Sequence, residues 1–213
     1  MKVIDDGVIK YDRSNFSLSG PILDQEFEKL EYWRKKLYKM NLIGEYPEAQ
    51  VGFGNMSMVS DYSNYFKSTH PQFIITGTQT GKHADLTGAH YTRVLDYNVD
   101  QLKIKMMGPI EASSEALTHA AIYESNNSIK AVFHIHSNPI WTKMIDECAD
   151  STCASIPYGT VEMAHATQKC IKGKNSGVFC MKGHEDGIVI YAPTLEEAGR
   201  LTTELYNKYI AFV

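Results

Sequence analysis

The sequence lacks the features that would point to a membrane or a nucleic acid as a partner. No apolar run is long enough to span a bilayer, and residues 1–6 lack the apolar core of a signal peptide. Positive charge is not in excess, because the formal net charge is −4 at pH 7, so a general polyanion-binding surface is not indicated. We therefore expect neither a membrane nor a nucleic acid among the partners.

The cysteines lack the CxxC spacing of a zinc-binding motif. The four cysteines are Cys148, Cys153, Cys170 and Cys180, and free thiols in a reducing compartment are the consequent prediction. A cytoplasmic location follows from that interpretation. The 213 residues have an ordinary composition and are predicted to form one domain over 1–213.

Hydrophobic periodicity and turn residues predict strands and helices that alternate along the chain. Helices are predicted from Asp24 to a stop at Gly44, from about 115 to 124 with Ser113 or Ser114 as N-cap, from 138, from 160 to 171, and from 194. Strands are predicted at 51–53 and 55–59 around a bend at Gly54-Asn55, and at 71–76, 91–97, 102–107, 131–136, 178–181 and 187–192. Residues 1–20 show little periodicity and are expected to cover the core loosely. This order predicts helices on both faces of a mixed or antiparallel sheet.

A His-x-His pair ends the most apolar of these strands. On a strand, residues two apart point to the same face, so the imidazoles of His134 and His136 enter one space while Phe133 and Ile135 face away. Two histidines placed in this way can hold a divalent metal ion. The alternative is a pair of separate core histidines with hydrogen-bond partners, and the position at the end of a buried strand favours the metal.

A tight metal site needs further ligands, and His184 is the best candidate for a third. It lies in a glycine-flanked turn between two predicted strands, where a side chain can be held rigidly at the end of a sheet. His119 and His165 lie within predicted helices and are expected to be structural. Three histidines leave one position of zinc open, which is the arrangement of a catalytic site and lets zinc polarise a substrate oxygen.

A carboxylate and two possible anion sites accompany the histidines. Glu115 begins the helix that precedes the His-x-His strand, and Ser113 and Ser114 stand directly before it, where a helix start can bind an anion. Glu115 could serve as the base, or it could only favour the helix dipole. The loop at 77–82 is not a Walker A motif, and it is either a plain turn or a source of backbone N–H groups for an anion.

Two segments of the chain form a recognisable signature: Ala112-Ser-Ser-Glu115 with Leu117, His119, Ile122 and Tyr123, and Ala131-Val-Phe-His-Ile-His-Ser137. They resemble the signature of the class II aldolase/adducin family, whose enzymes include aldolases, epimerases and dehydratases of sugar phosphates. The resemblance extends from about Phe27 to the last helix, and its specific part lies between the glutamate and the His-x-His pair.

The resemblance implies a fold, a cofactor and a set of functional residues. The implied fold is an α/β three-layer αβα sandwich around a largely antiparallel sheet, assembled as a homotetramer with sites at subunit interfaces. The implied activity is that of a zinc-dependent aldolase, in which a metal-stabilised enediolate forms from a small phosphorylated ketose; another divalent metal is possible. Glu115 would be the acid/base residue. The zinc ligands would be His134, His136 and His184, and the phosphate would lie against Gly54, Asn55, Thr80, Gly81, Ser113 and Ser114.

The chain also departs from the family pattern. Ala112 stands where a proline is usual, and His184 is followed by Glu185-Asp186 where many members have glycine directly. The loop that carries a tyrosine proton donor in one of the family's aldolases has no counterpart. These differences affect the expected aldehyde specificity and the expectation of aldol cleavage, and they have little effect on the expected zinc site and fold. An epimerase, dehydratase or decarboxylase on the same metal site, and a non-catalytic adducin-like interaction protein, therefore stay open as alternatives.

Overall fold

The computed structural model describes residues 7–210, and predictions for residues 1–6 and 211–213 lie outside this range. Helices and strands alternate along it, as the sequence predicts. The strands are β1 (Phe16–Leu18), β2 (Gly44–Tyr46), β3 (Val51–Phe53), β4 (Asn55–Val59), β5 (Phe73–Thr76), β6 (Tyr91–Asn98), β7 (Lys103–Gly108), β8 (Ala131–His136), β9 (Gly177–Cys180) and β10 (Gly187–Ala192). The helices are α1 (Asp24–Lys39), α2 (Ala116–Ser125), α3 (Asn138–Asp146), α4 (Val161–Ile171) and α5 (Leu195–Tyr209).

One large sheet organises the described part of the chain. Its eight strands lie in the order β1-β7-β6-β5-β4-β8-β10-β9, and β2 and β3 form a separate two-stranded sheet. Neighbouring strands of the large sheet pair antiparallel, apart from the parallel pair β1–β7. The prediction of a largely antiparallel central sheet is confirmed.

Helices cover both faces of this sheet, which completes the predicted αβα sandwich. One apolar core joins α2 and α4 to the face that carries Val132, and a second joins α1, α3 and α5 to the face that carries Phe133 and Ile135. Because side chains alternate along a strand, His134 and His136 extend the Val132 face at the end of β8. The two histidines therefore lie on the α2 side of the sheet.

Two short strands were not predicted. Residues 16–18 pair with Met106–Gly108 as an edge strand, so the expectation of loose, irregular structure is wrong there. The strand is only three residues long and its Leu18 is exposed, so the alternation of Phe16-Ser17-Leu18 is too short to identify a strand with a buried face. Gly44 does not stop α1, which ends five residues earlier; it begins β2, where it pairs with Phe53.

The start of α2 also differs from the prediction. Glu115 is the N-cap, and neither Ser113 nor Ser114 is. The carbonyl of Ser113 accepts the N–H of Ala116 in a turn that precedes the helix. Both serines line a cavity, and the Ser113 hydroxyl oxygen also accepts the N–H of Glu115 over 3.4 Å.

Candidate metal centre and catalytic site

Three imidazoles converge at one end of the sheet. His134 and His136 come from β8, and their Nε2 atoms are 2.9 Å apart. His184 joins them from the turn between β9 and β10, and the three ligand atoms all lie within 4.8 Å of one another. All three side chains are buried. The same-face prediction for His134 and His136 is confirmed, and the structure brings the predicted third histidine to the same place.

The turn that carries His184 is closely constrained. Gly187 pairs with His136 in register, which fixes the turn at the end of β8. Within the turn the His184 N–H donates to the carbonyl of Met181 over 3.0 Å, and the His184 carbonyl accepts the N–H of Gly187 over 3.0 Å. A Cβ atom at Gly183 would lie 1.7 Å from the Ile156 carbonyl oxygen, so only glycine fits there.

Glu115 lies against this cluster. Its Oε2 atom is 2.7 Å from His134 Nε2 and accepts a hydrogen bond of 3.0 Å from the Asn55 side-chain amide. Its Oε1 atom is 3.9 Å from His184 Nε2. Burial alone would raise the pKa of Glu115, but the charges and hydrogen bonds of His134, His184 and Asn55 outweigh it and hold the pKa well below its usual range. The carboxylate is therefore ionised and able to accept a proton.

The donor set fits a divalent metal ion. Two imidazole Nε2 atoms that face each other at 2.9 Å cannot both act as acceptors without a proton or a cation between them. Among the described residues, Glu115 Oε1 is buried and accepts no hydrogen bond. Three imidazole nitrogens beside a carboxylate are ligands that zinc and similar ions take. These atoms could hold such an ion.

Tyr46 orients one of the histidines and was not found from the sequence. Its hydroxyl lies 2.8 Å from His136 Nδ1, and the Phe53 ring stacks on the same imidazole. If Nε2 of His136 binds a metal, Nδ1 carries the hydrogen and donates it to the Tyr46 oxygen, which fixes the tautomer. Finding this contact requires knowing that β2 and β3 pair, and β2 has no periodicity that predicts it.

His119 and His165 lie outside the cluster. The His119 Nδ1 atom is 2.6 Å from the Ser57 hydroxyl, which is also 2.6 Å from the Tyr123 hydroxyl. Burial lowers the pKa of His119 to about 3, so this imidazole is neutral. His165 is exposed on α4 beside Asp100. Neither histidine joins the group of residues that could hold a metal.

A polar cavity opens beside the histidines. His136, His184 and Glu115 line it. Tyr158, which the sequence did not single out, lines it as well, and its ring lies 4.7 Å from that of His184. The structure brings together all the residues predicted to contact a phosphate. They are Gly54, Asn55, Thr80, Gly81, Ser113 and Ser114.

The sequence matches the model of a known protein family over most of its length. Residues 40–208 match the class II aldolase and adducin N-terminal domain. The chain belongs to this family. A search of curated proteins finds no match.

Solved structures agree with the family's fold. YgbL from Escherichia coli, a provisionally assigned aldolase/epimerase/decarboxylase, is 18% identical with a TM-score of 0.61 over 87% of this chain and 86% of that one. YgbL from Klebsiella pneumoniae is 20% identical with a TM-score of 0.60 over 85% of each chain. An L-fuculose 1-phosphate aldolase is 18% identical with a TM-score of 0.59 over 87% of this chain and 83% of its own. At these identities the likeness concerns the fold.

Two further observations concern the expected reducing compartment and the expected absence of a membrane partner. All four cysteines are free thiols. Within residues 7–210, every helix is too short or too polar to cross a bilayer.

Proposed function

We propose that this protein is a zinc-dependent aldolase that cleaves or forms a small phosphorylated ketose by way of an enediolate. The observation that carries the proposal is the ionised, buried carboxylate of Glu115, which lies 2.7 Å from His134 Nε2 within the group of three convergent imidazoles. That group opens on a cavity whose other walls include hydroxyl groups and glycine backbone. A base and a polar recess are thus adjacent.

In this proposal the phosphate of the substrate lies between three short loops. The serines at 113–114 offer hydroxyl groups, the loop at 80–81 offers backbone N–H groups, and Gly54-Asn55 closes the third side. Gly54 has a φ of 77° and permits the sharp bend between β3 and β4. A phosphate held there would direct the carbonyl end of the ketose towards Glu115 and the histidines.

Glu115 would move the proton. In the direction of synthesis its carboxylate accepts a proton from the carbon beside the carbonyl; the electron pair of that C–H bond forms a carbon–carbon double bond, and the π pair of the carbonyl passes to its oxygen to give the enediolate. In cleavage the carboxylic acid returns the proton to the same carbon. The hydrogen bond from Asn55 holds Oε2 in place beside His134, and Oε1 lies 3.9 Å from His184 Nε2.

The three histidines would hold the metal ion, with Tyr46 orienting His136. A zinc ion in that position supplies Lewis-acid polarisation of the substrate carbonyl. Burial lowers the pKa of His136 well below its usual range, with the neighbouring His134 and His184 acting in the same direction, so this imidazole is unprotonated and available as a ligand.

A product screen tests this proposal. Purified zinc-loaded protein is incubated with a panel of phosphorylated ketoses and with their unphosphorylated forms, and products are identified by mass spectrometry and NMR. We expect dihydroxyacetone phosphate and an aldehyde from at least one phosphorylated ketose, and no reaction of its unphosphorylated form. Loss of water or CO₂, or inversion at a carbon, would assign another reaction to the site. Equal reaction of phosphorylated and unphosphorylated sugars would contradict the phosphate assignment.

The homotetramer and the cytoplasmic location stay predictions. The free thiols support a reducing compartment. Light scattering of the purified protein would test the tetramer, and a monomeric mass at micromolar concentration would contradict it.

A further inference from the structure

Arg34 is a buried cation behind one wall of the cavity. It lies on α1, is 1% exposed, and is the largest of the fully buried side chains. Within α1 it is buried on the same face as Leu30 and Leu37. A buried arginine requires partners for its hydrogen-bond donors, because an unpaired buried charge is strongly destabilising.

The partners of Arg34 are carbonyl groups of a single loop. Its Nη2 atom donates to the carbonyls of Gly81 over 3.0 Å and Thr80 over 3.4 Å, and its Nη1 atom donates to that of Ala84 over 2.8 Å. Glu31, one turn earlier on α1, holds the far end of the same loop by accepting the N–H of Leu86 over 2.8 Å. Helix α1 thus fixes both ends of residues 80–86.

These contacts determine which way the loop's N–H groups point. In a trans peptide the C=O and the following N–H point in opposite directions. Because the Thr80 carbonyl faces Arg34, the N–H of Gly81 points away from Arg34, and residues 80 and 81 line the cavity. Among the described residues, the N–H groups of Thr80 and Gly81 donate to no protein acceptor. A guanidinium on the carbonyl side also polarises the peptide and strengthens its N–H as a donor.

The backbone around Gly81 is closely packed and leaves no room for a side chain at this position. A Cβ atom at Gly81 would lie 2.5 Å from the Gly44 carbonyl oxygen and 2.6 Å from that of Phe53. The described residues that line the cavity include no lysine or arginine. Arg34 is the buried cation that contacts the carbonyls of this loop, whereas Lys35, which pairs with Asp85 of the same loop, has a side chain that is 44% exposed.

We propose that Arg34 is a positioning residue for phosphate recognition: its guanidinium holds the carbonyls of Thr80, Gly81 and Ala84 so that the N–H of Gly81 faces the cavity, and its charge favours a bound phosphate. This inference rests on the proposed function, because it assumes that the cavity takes a phosphorylated ligand. Lysine cannot replace arginine here, since a single ammonium does not reproduce the planar fork.

The test is calorimetric titration of the zinc-loaded protein with inorganic phosphate. We compare wild type, Arg34→Lys, which keeps the charge, and Arg34→Gln, which keeps one donor group. The matched control is Arg93→Lys, because Arg93 is also buried but pairs with Glu26 away from the cavity. Zinc content and thermal unfolding of each variant show which of them are folded and comparable.

We expect phosphate to bind about tenfold more weakly to Arg34→Lys and more weakly still to Arg34→Gln, while Arg93→Lys stays within about twofold of wild type. With a reactive ketose phosphate, KM should rise in the Arg34 variants while kcat changes little. A folded Arg34 variant with wild-type phosphate affinity would overturn the inference. If Arg34→Lys does not fold, the phosphate affinity of Arg34→Gln is the test. Absence of phosphate binding in wild type would instead overturn the phosphorylated substrate of the proposed function, and this inference with it.

Discussion

Two histidine–carboxylate clusters in this protein have the same contact distance and different surroundings. His134 Nε2 lies 2.7 Å from Glu115 Oε2, and these side chains are 2% and 4% exposed. His70 Nδ1 lies 2.8 Å from Asp96 Oδ1, and these are 36% and 34% exposed. Water screens the second pair, so its contribution to stability is small, whereas the first pair interacts in a dry site. A close His–carboxylate contact does not by itself identify a functional site.

What distinguishes the first cluster is convergence. Two further imidazoles direct their ligand atoms to the same point as His134. At the second cluster, the His70 ring lies 3.8 Å from Glu124 and stacks on Tyr97, and the Ser68 hydroxyl donates to Asp96. Among the described residues, no further imidazole or thiol joins this cluster in a group that could hold a metal. A metal ion needs several donors around one centre, so the two clusters should respond differently to the same substitution.

The largest difference should appear in metal content. His134→Ala and His184→Ala each remove one of three ligands, and we expect bound zinc to fall from about one per subunit to a small fraction of that after dialysis. His70→Ala should keep the wild-type content. Elemental analysis measures zinc, and circular dichroism checks that each variant is folded. Undiminished zinc in both ligand variants would contradict the metal site.

A smaller effect is expected when only the orientation of a ligand is lost. Tyr46→Phe removes the hydroxyl that lies 2.8 Å from His136 Nδ1, and loss of such a partner weakens zinc binding by about 10- to 100-fold. Tyr65→Phe, at an exposed tyrosine, is the control. Competition with a chromogenic chelator gives both affinities, and equal values would show that Tyr46 does not orient the ligand.

A third prediction concerns His119, a buried histidine outside both clusters. Its folded-state pKa of about 3 lies below the unfolded value, so between roughly pH 6.5 and 3 the unfolded chain binds one more proton and stability falls as pH falls. His119→Gln removes the imidazole that binds this proton in the unfolded chain. Between pH 7 and pH 5 the zinc-free wild type should lose about 2 kcal/mol more unfolding free energy than the zinc-free variant. Urea denaturation at the two pH values measures this, and parallel losses would mean that folded His119 titrates normally.

The sequence could predict those features of the fold and the site that depend on local patterns. His134 and His136 follow from the two-residue period of a strand, and His184 from a glycine-flanked turn between strands, because both patterns are local. The αβα sandwich follows from the alternation of strands and helices. The prediction of Ser113 or Ser114 as the N-cap of α2 was wrong, because the position of an N-cap depends on the conformation of the preceding turn.

Contacts between distant segments could not be predicted in the same way. Tyr46 reaches His136 only because β2 pairs with β3. Arg34 reaches the loop at 80–84 across 46 to 50 positions of sequence. One local signal for Arg34 did exist: it stands four residues after Leu30 and three before Leu37, which is the spacing of the buried face of α1. A charge at that spacing indicates a buried ion with partners elsewhere.

The central claim is that Glu115 is the base of a metal-dependent enzyme, and deuterium exchange into dihydroxyacetone phosphate tests it without knowledge of the aldehyde. In D₂O the zinc-loaded wild type should exchange one carbon-bound proton, because enediolate formation precedes formation of the carbon–carbon bond. Glu115→Gln keeps the size and hydrogen bonding of the side chain, should retain zinc on three histidines, and should exchange about 10²- to 10⁴-fold more slowly. Exchange at the wild-type rate in the zinc-bound variant would contradict the claim.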